Sequence, residues 1–285
     1  MEERYSVFRL MPELPEVETV VRGLAARLTG LRITAVRLTR CDLRWQVPGH
    51  FASVLKGARV VGFRRRGKYI FIRLDVGVSV LVHLGMSGRV TIDQDAVCHQ
   101  HLTVTMEDGC CVGFIDPRRF GTLDLVGSSY EDSHRLIAGL GPEPLESGFD
   151  QVCLARGLAG KARPIKLALL DQAVVAGIGN IYANEALFRA RINPSRPAGT
   201  LDMPPIGRLV LAIKEVLTAA IAAGGSSLRD YVRPSGELGY FQRVWGVYDR
   251  AGQPCNRCPG LQSCRGIVRI VQSGRASYFC PRTQN

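Results

Sequence analysis

The sequence predicts a multidomain α+β protein, and three observations carry that prediction. A helical apolar period near the start gives way to short, β-branched segments between residues 31 and 126. Beyond residue 165 the pattern turns helical. Cys255, Cys258, Cys264 and Cys280 then crowd the end of the chain. With 285 residues there is room for two domains with substantial cores. The expected order begins with an extension over residues 1–10 and an N-terminal two-layer β-sandwich with flanking helices over 11–142. A helical domain over 151–240 and a metal-pinned C-terminal β-hairpin over 241–285 follow.

Residues 15–28 fit an amphipathic helix. Val17, Val20, Val21, Leu24, Ala25 and Leu28 follow the helical period, and Gly30 stops it. Pro15 suits a first turn, where a missing N–H costs nothing. Segments 31–39, 59–64, 69–75, 78–84, 102–106, 111–115 and 123–126 are short and often alternating. Gly, Asp and Pro punctuate them, which is the texture of a sandwich. Gly139-Leu140-Gly141-Pro142-Glu143-Pro144-Leu145 reads as a linker. Helices are expected over 165–172, 181–189 and 205–223, with stops at Gly177/Gly179 and Gly224/Gly225. Residues 226–240 read as a mobile polar loop. β character returns at 266–272 and 276–279, between the cysteines.

A net charge of +12 and a pI near 9.6 favour a polyanionic partner, most often nucleic acid. The longest apolar runs are broken well short of a membrane span. Residues 1–10 carry Glu2, Glu3, Arg4 and Arg9 and lack the apolar core of a secretory signal. A cytoplasmic protein with no membrane partner is therefore expected. Cys41, Cys98, Cys110, Cys111 and Cys153 are scattered and read as small hydrophobes or free thiols. The C-terminal cluster, without an export signal, reads as a metal site rather than as disulfides.

Met11-Pro12-Glu13-Leu14-Pro15-Glu16-Val17-Glu18-Thr19 looks like the beginning of a protein placed ten residues inside one. If Met11 is removed, Pro12 carries a secondary amine on a rigid ring, a good nucleophile toward an aldehyde-like carbon. An α-amino group titrates near pH ~8, so a usable fraction is unprotonated at neutral pH. With a carboxylic acid adjacent at Glu13, this is the minimum equipment for Schiff-base chemistry. Taken by itself the stretch is better read as a proline-punctuated lead-in to a helix, and the rest of the chain reverses that preference.

Four further motifs bear on that choice. They are His83-Leu84-Gly85-Met86-Ser87-Gly88, Asp116-Pro117-Arg118-Arg119-Phe120-Gly121, Gly177-Ile178-Gly179-Asn180-Ile181-Tyr182-Ala183 and Gln272-Ser273-Gly274-Arg275. Together with the Met11–Thr19 stretch, and in this order, they resemble the formamidopyrimidine-DNA glycosylase family from Met11 to the C-terminus. The Pro-Glu-Leu opening favours the purine-acting branch over its pyrimidine-acting sister. The resemblance implies a bifunctional DNA glycosylase and AP lyase that excises 8-oxoguanine and formamidopyrimidines, then carries out β- and δ-elimination. It also implies a helix–two-turn–helix in the helical domain, a zinc-finger hairpin, a double-stranded DNA partner containing oxidised bases, and action as a monomer.

Residue by residue, the resemblance makes Pro12 the nucleophile at C1′ and Glu13 a proton donor to the sugar. Lys68 would assist the first elimination, and Arg275 would grip phosphate and help the second. A glycosylase must extrude its nucleotide and fill the gap, and apolar wedges commonly do so. Met86, Arg118 and Phe120 match the family's filling trio, although the residues alone favour core packing for Met86 and Phe120. His99, Lys161, Lys166 and Asn180 match DNA-contacting positions. His101 has no matched role and reads as a satisfied strand histidine.

The cysteines depart from the family's two Cys-x2-Cys pairs. Cys255 and Cys258 form the first pair, but Thr283 stands where the partner of Cys280 is expected. One structural zinc held by Cys255, Cys258, Cys264 and Cys280 is the expectation, since a threonine hydroxyl is a poor substitute for thiolate. Two rival readings follow from the same residues. If residues 1–10 are retained, the Pro12 nitrogen is an amide and the protein is an inactive DNA-binding homologue. The other rival is a glycosylase for oxidised pyrimidines.

Overall fold

A computed structural model describes residues 11–95, 97–226, 240–258 and 265–284. Residues 1–10, most of the 226–240 loop and Cys264 lie outside the described residues. The chain divides into two compact units. The first runs to His134 and includes 224–226 and Tyr240; the second comprises 135–223 and the chain from Phe241 onward.

The first unit opens with helix α1 (Leu14–Leu28), whose apolar face of Val17, Val20, Val21, Leu24 and Leu28 is buried. Two four-stranded antiparallel sheets form the expected sandwich. One has the order β2 (Val60–Arg66), β3 (Tyr69–Leu74), β4 (Val78–His83), β8 (Thr122–Gly127). The other has the order β1 (Ile33–Leu38), β6 (Gln100–Met106), β7 (Cys111–Ile115), β5 (Arg89–Ile92). Ile70, Val80, Val82, Leu102, Val104, Phe114 and Leu123 belong to one apolar core that also takes in the α1 face. Two elements went unread in the sequence. β5 has only four residues, and the short helix α2 (Phe51–Leu55) buries just Phe51 and Leu55.

Register fixes which loops share one end of the first sheet. Tyr69 pairs with His83, and His83 pairs with Thr122. The β2–β3 turn, the loop leaving β4 and the loop entering β8 therefore emerge together. The β2–β3 turn has two residues, Gly67 and Lys68, because Arg66 pairs with Tyr69. Gly67 has φ +56°, which a two-residue hairpin with glycine first requires.

The second unit contains α3 (Gln151–Leu158), α4 (Ile165–Leu169), α5 (Asn180–Ala190), α6 (Met203–Ala222) and the hairpin of β9 (Val268–Gln272) and β10 (Arg275–Phe279). Helix α5 is buried nearly all round, as a central helix must be, and packs against α6 and β10. The sequence reading missed α3, although Asp150 caps it by accepting from the Cys153 amide at 2.7 Å. Helix α4 stops before the expected residue 172 because Gln172 is used otherwise. Its amide donates to the Leu170 and Ile178 carbonyls, and its Oε1 accepts from Gly177 N. The segment read as a linker is docked. Gly141 N donates to Gln172 O, and Ala176 N donates to Pro142 O.

No helix among the described residues is long and apolar enough to cross a membrane.

Candidate nucleic-acid interface and catalytic residues

In the first unit, Pro12 is buried and Glu13 forms the N-cap of α1, 2 % exposed. Glu13 and Glu16 make a capping box, with Glu13 N donating to Glu16 Oε2 at 2.9 Å. The other oxygen of the buried Glu16 accepts from Ser226 N at 2.8 Å. One carboxylate thus holds both the start of α1 and the backbone at Ser226.

Lys68 sits at the tip of its hairpin, half-buried. The hairpin is tied to α1 by Arg65, which donates to Glu18 at 2.8 Å and to the Gly67 carbonyl. Beside it stands His83, a residue the sequence reading left without a role. Its ring lies 4.7 Å from that of Tyr69, and its Nδ1 accepts from Gly85 N at 3.1 Å. Burial, with the charges of Lys68 and Arg44, pushes its pKa down to about 4. A neutral imidazole with Nδ1 accepting carries its proton on Nε2, so His83 offers an N–H donor next to the Lys68 ammonium.

Met86 is half-buried, and Phe120 is 41 % exposed. Exposure of that size removes the core-packing reading for Phe120. The Arg118 guanidinium lies 4.7 Å from the centre of the Phe120 ring. Gly85, at φ +63°, lets the two turns touch: a Cβ there would fall 2.5 Å from the Phe120 carbonyl carbon. His99 is exposed at φ +66°, and its carbonyl accepts from Asp116 N. His101 is buried and donates to the Asp116 carbonyl at 2.9 Å, as a satisfied strand histidine should.

In the second unit, Asn180 opens α5 directly after Gly179. Its amide donates to the Ala276 carbonyl at 3.1 Å and lies 3.4 Å from the Tyr248 hydroxyl. Lys166 is completely buried and donates to the same Ala276 carbonyl at 2.7 Å. Its ammonium therefore points to the backbone beside Arg275 within the same unit. Arg275 is exposed beside Ala276, just after a two-residue turn in which Ser273 and Gly274 both have positive φ. Arg163 holds the Asp171 carboxyl below its usual range, and the half-buried Lys161 lies close enough to add to that effect. Tyr248 is a second residue the sequence reading missed. It packs edge-on against Tyr278 at 5.1 Å, and its amide is one of three that donate to the buried Glu185 carboxylate.

Of the four expected metal ligands, the structure brings together Cys255, Cys258 and Cys280, whose sulfurs lie within 4.8 Å of one another. Cys264 is outside the described residues. The set suits a thiophilic ion such as zinc, whose bonds of ~2.3 Å to sulfur need thiolates about this close. The Arg257 amide donates to Cys255 Sγ at 3.4 Å, a bond that favours a thiolate. Thr283 follows Cys280 on the same turn, and its hydroxyl is buried.

The formamidopyrimidine-DNA glycosylase N-terminal domain matches residues 11–123, and the H2TH domain of the same family matches residues 140–232. The formamidopyrimidine-DNA glycosylase of Acidiphilium cryptum is 68 % identical over 274 residues, covering 96 % of this chain and all of the relative. That of Gluconobacter oxydans is 50 % identical with the same coverage. Among solved structures, the MutM (Fpg) protein of Thermus thermophilus superposes with a TM-score of 0.84 at 40 % identity, covering 96 % of this chain and 98 % of its own. A complex of Lactococcus lactis Fpg with DNA containing an abasic site does so with a TM-score of 0.86 at 33 % identity, covering 96 % and 99 %.

Proposed function

The chain belongs to the formamidopyrimidine-DNA glycosylase family and is a DNA glycosylase for oxidised purines in base excision repair; on that premise we propose that it is bifunctional, with the Pro12 amine as its nucleophile. The observation that carries this reading is the convergence of loops at one end of one sheet. Lys68, His83, Met86, Arg118 and Phe120 all leave that end, in the unit that α1 opens with Pro12 and Glu13. Pro12 attacks C1′, the glycosidic bond breaks with its electrons on the departing base, and an imine to the enzyme remains. Glu13, fixed by its capping box, passes a proton to the sugar as the ring opens. Lys68 assists the β-elimination. Arg275 grips phosphate and helps the δ-elimination.

Met86, Arg118 and Phe120 fill the space of the extruded nucleotide, and unstacking costs on the order of a few kcal/mol for such contacts to offset. Phosphate is held by His99, Lys161, Asn180 and the His83 N–H, and these contacts dominate affinity. Lys166 acts behind them by holding the Ala276 carbonyl beside Arg275. Cys255, Cys258 and Cys280, with Cys264 as fourth ligand and Thr283 uninvolved, would hold one zinc ion whose contribution would be structural.

Borohydride trapping tests the nucleophile. Protein beginning at Pro12 is expected to be captured covalently on 8-oxoguanine duplex. Protein with residues 1–10 verified intact is expected to escape, since an amide nitrogen forms no imine. Equal capture of both forms removes Pro12 from the role. Metal analysis tests the zinc. Stoichiometric metal that is lost in Cys264→Ser and kept in Thr283→Ala is expected, and the reverse pattern makes Thr283 the ligand.

A further inference from the structure

Ser87 and Asp116 are used by no step above, yet both are buried polar residues at the base of the filling turns. Asp116 is fully buried, and Ser87 is 8 % exposed. The Ser87 hydroxyl donates to Asp116 Oδ1 at 2.7 Å and accepts from Arg118 N at 3.2 Å. Asp116 Oδ2 accepts from Gly121 N at 2.7 Å. The Asp116 carbonyl accepts from His101 at 2.9 Å and from Arg119 N at 3.2 Å. This chain of bonds crosses from the turn that carries Met86 to the turn that carries Arg118 and Phe120. It also pins the backbone on both sides of Phe120.

We propose that Ser87 and Asp116 are positioning residues that join the two turns into one preformed wedge, so that Met86, Arg118 and Phe120 enter the duplex as a unit. The physical reason is entropic. Three side chains on independent turns would each lose conformational freedom when the nucleotide leaves the stack. Two turns already joined by buried hydrogen bonds have lost it on folding. Buried carboxylate–amide and carboxylate–hydroxyl bonds are strong and short enough to hold such geometry. The proposal rests on the filling role given above to Met86, Arg118 and Phe120.

A double-mutant cycle separates the two ideas. Single-turnover excision of 8-oxoguanine is measured for Ser87→Ala, for Met86→Ala/Phe120→Ala, and for the triple variant. A 2-aminopurine beside the lesion reports unstacking in stopped flow. Thermal midpoint and affinity for undamaged duplex are followed for each variant. Ser87→Ala is expected to slow both unstacking and excision at least tenfold, with affinity for undamaged duplex within twofold. Once Met86 and Phe120 are alanine, it is expected to add less than twofold. Asp116→Asn keeps an acceptor for Gly121 N and a partner for Ser87, so it is expected to retain the rate that Asp116→Ala loses. If the Met86/Phe120 variant is slowed but Ser87→Ala is silent, or is equally damaging in both backgrounds, the brace is overturned while the filling role stands. If the Met86/Phe120 variant is itself at full rate, the filling role fails and takes the brace with it.

Discussion

The turns at residues 85–88 and 116–121 and the β9–β10 hairpin use polar side chains in opposite ways. In the turns, buried Ser87 and Asp116 hold the backbone while Phe120 is exposed with the Arg118 guanidinium over its ring. At the hairpin, Lys166 and Asn180 themselves turn inward onto one carbonyl, Ala276 O, and the exposed residue is the neighbouring Arg275. A basic side chain in such a motif can therefore also fix the backbone from which its neighbour is presented.

Lys166→Ala puts this contrast under the heaviest load. It leaves a buried carbonyl short of a charged donor, a loss of about 2–3 kcal/mol. Chemical denaturation should show that loss, with a matching fall in the part of DNA binding that Arg275→Ala also removes. Unchanged stability would place Lys166 among the presenting residues. Phe120→Ala is the opposite case. As a half-exposed ring it should change stability by no more than about 0.5 kcal/mol, while excision falls about tenfold, or ~1.4 kcal/mol in the barrier.

His83 sharpens the comparison through pH. Its folded pKa, about 4, lies below the ordinary histidine value of ~6.5, so the folded state favours the neutral ring. Stability from this group is fully present above pH ~6.5 and declines as pH falls toward 4. Denaturation between these limits should slope less in His83→Gln than in the parent. A ring titrating near 6.5 by NMR would contradict the neutral donor. The smallest effect is expected from Lys161→Ala, which should weaken binding evenly across sequences and reduce the salt slope by about one.

Much of this was legible in the chain. The periodicity around Val17, Val20, Val21 and Leu24 yields α1, and alternation yields most of the sandwich strands. What escaped depended on register or on a cap. His83 opens the His83–Gly88 motif, but only its pairing with Tyr69 brings it beside the Gly67–Lys68 turn. Tyr248 joins Asn180 across a long stretch of sequence. Lys166 within Ile165-Lys166-Leu167-Ala168-Leu169 hinted at a directed role, yet burial and direction appear only once β10 is in place. Helix α3 carries a visible cap at Asp150 but too few apolar residues to announce itself. In the segment read as a linker, Gly141 serves a close backbone approach that composition does not announce: a Cβ there would meet the Ala173 carbonyl oxygen at 2.5 Å.

Glu16 carries one more consequence. Its two oxygens end two different stretches of chain, at Glu13 N and at Ser226 N, and Ser226 in turn bridges to Tyr240. The stretch between 226 and 240 therefore departs from and returns to a fixed mooring. The position of Glu13 is thereby coupled to that of Ser226, and through Ser226 to Tyr240. Glu16→Asp would leave the side chain one methylene too short to reach both amides, so that one attachment could be kept only at the expense of the other.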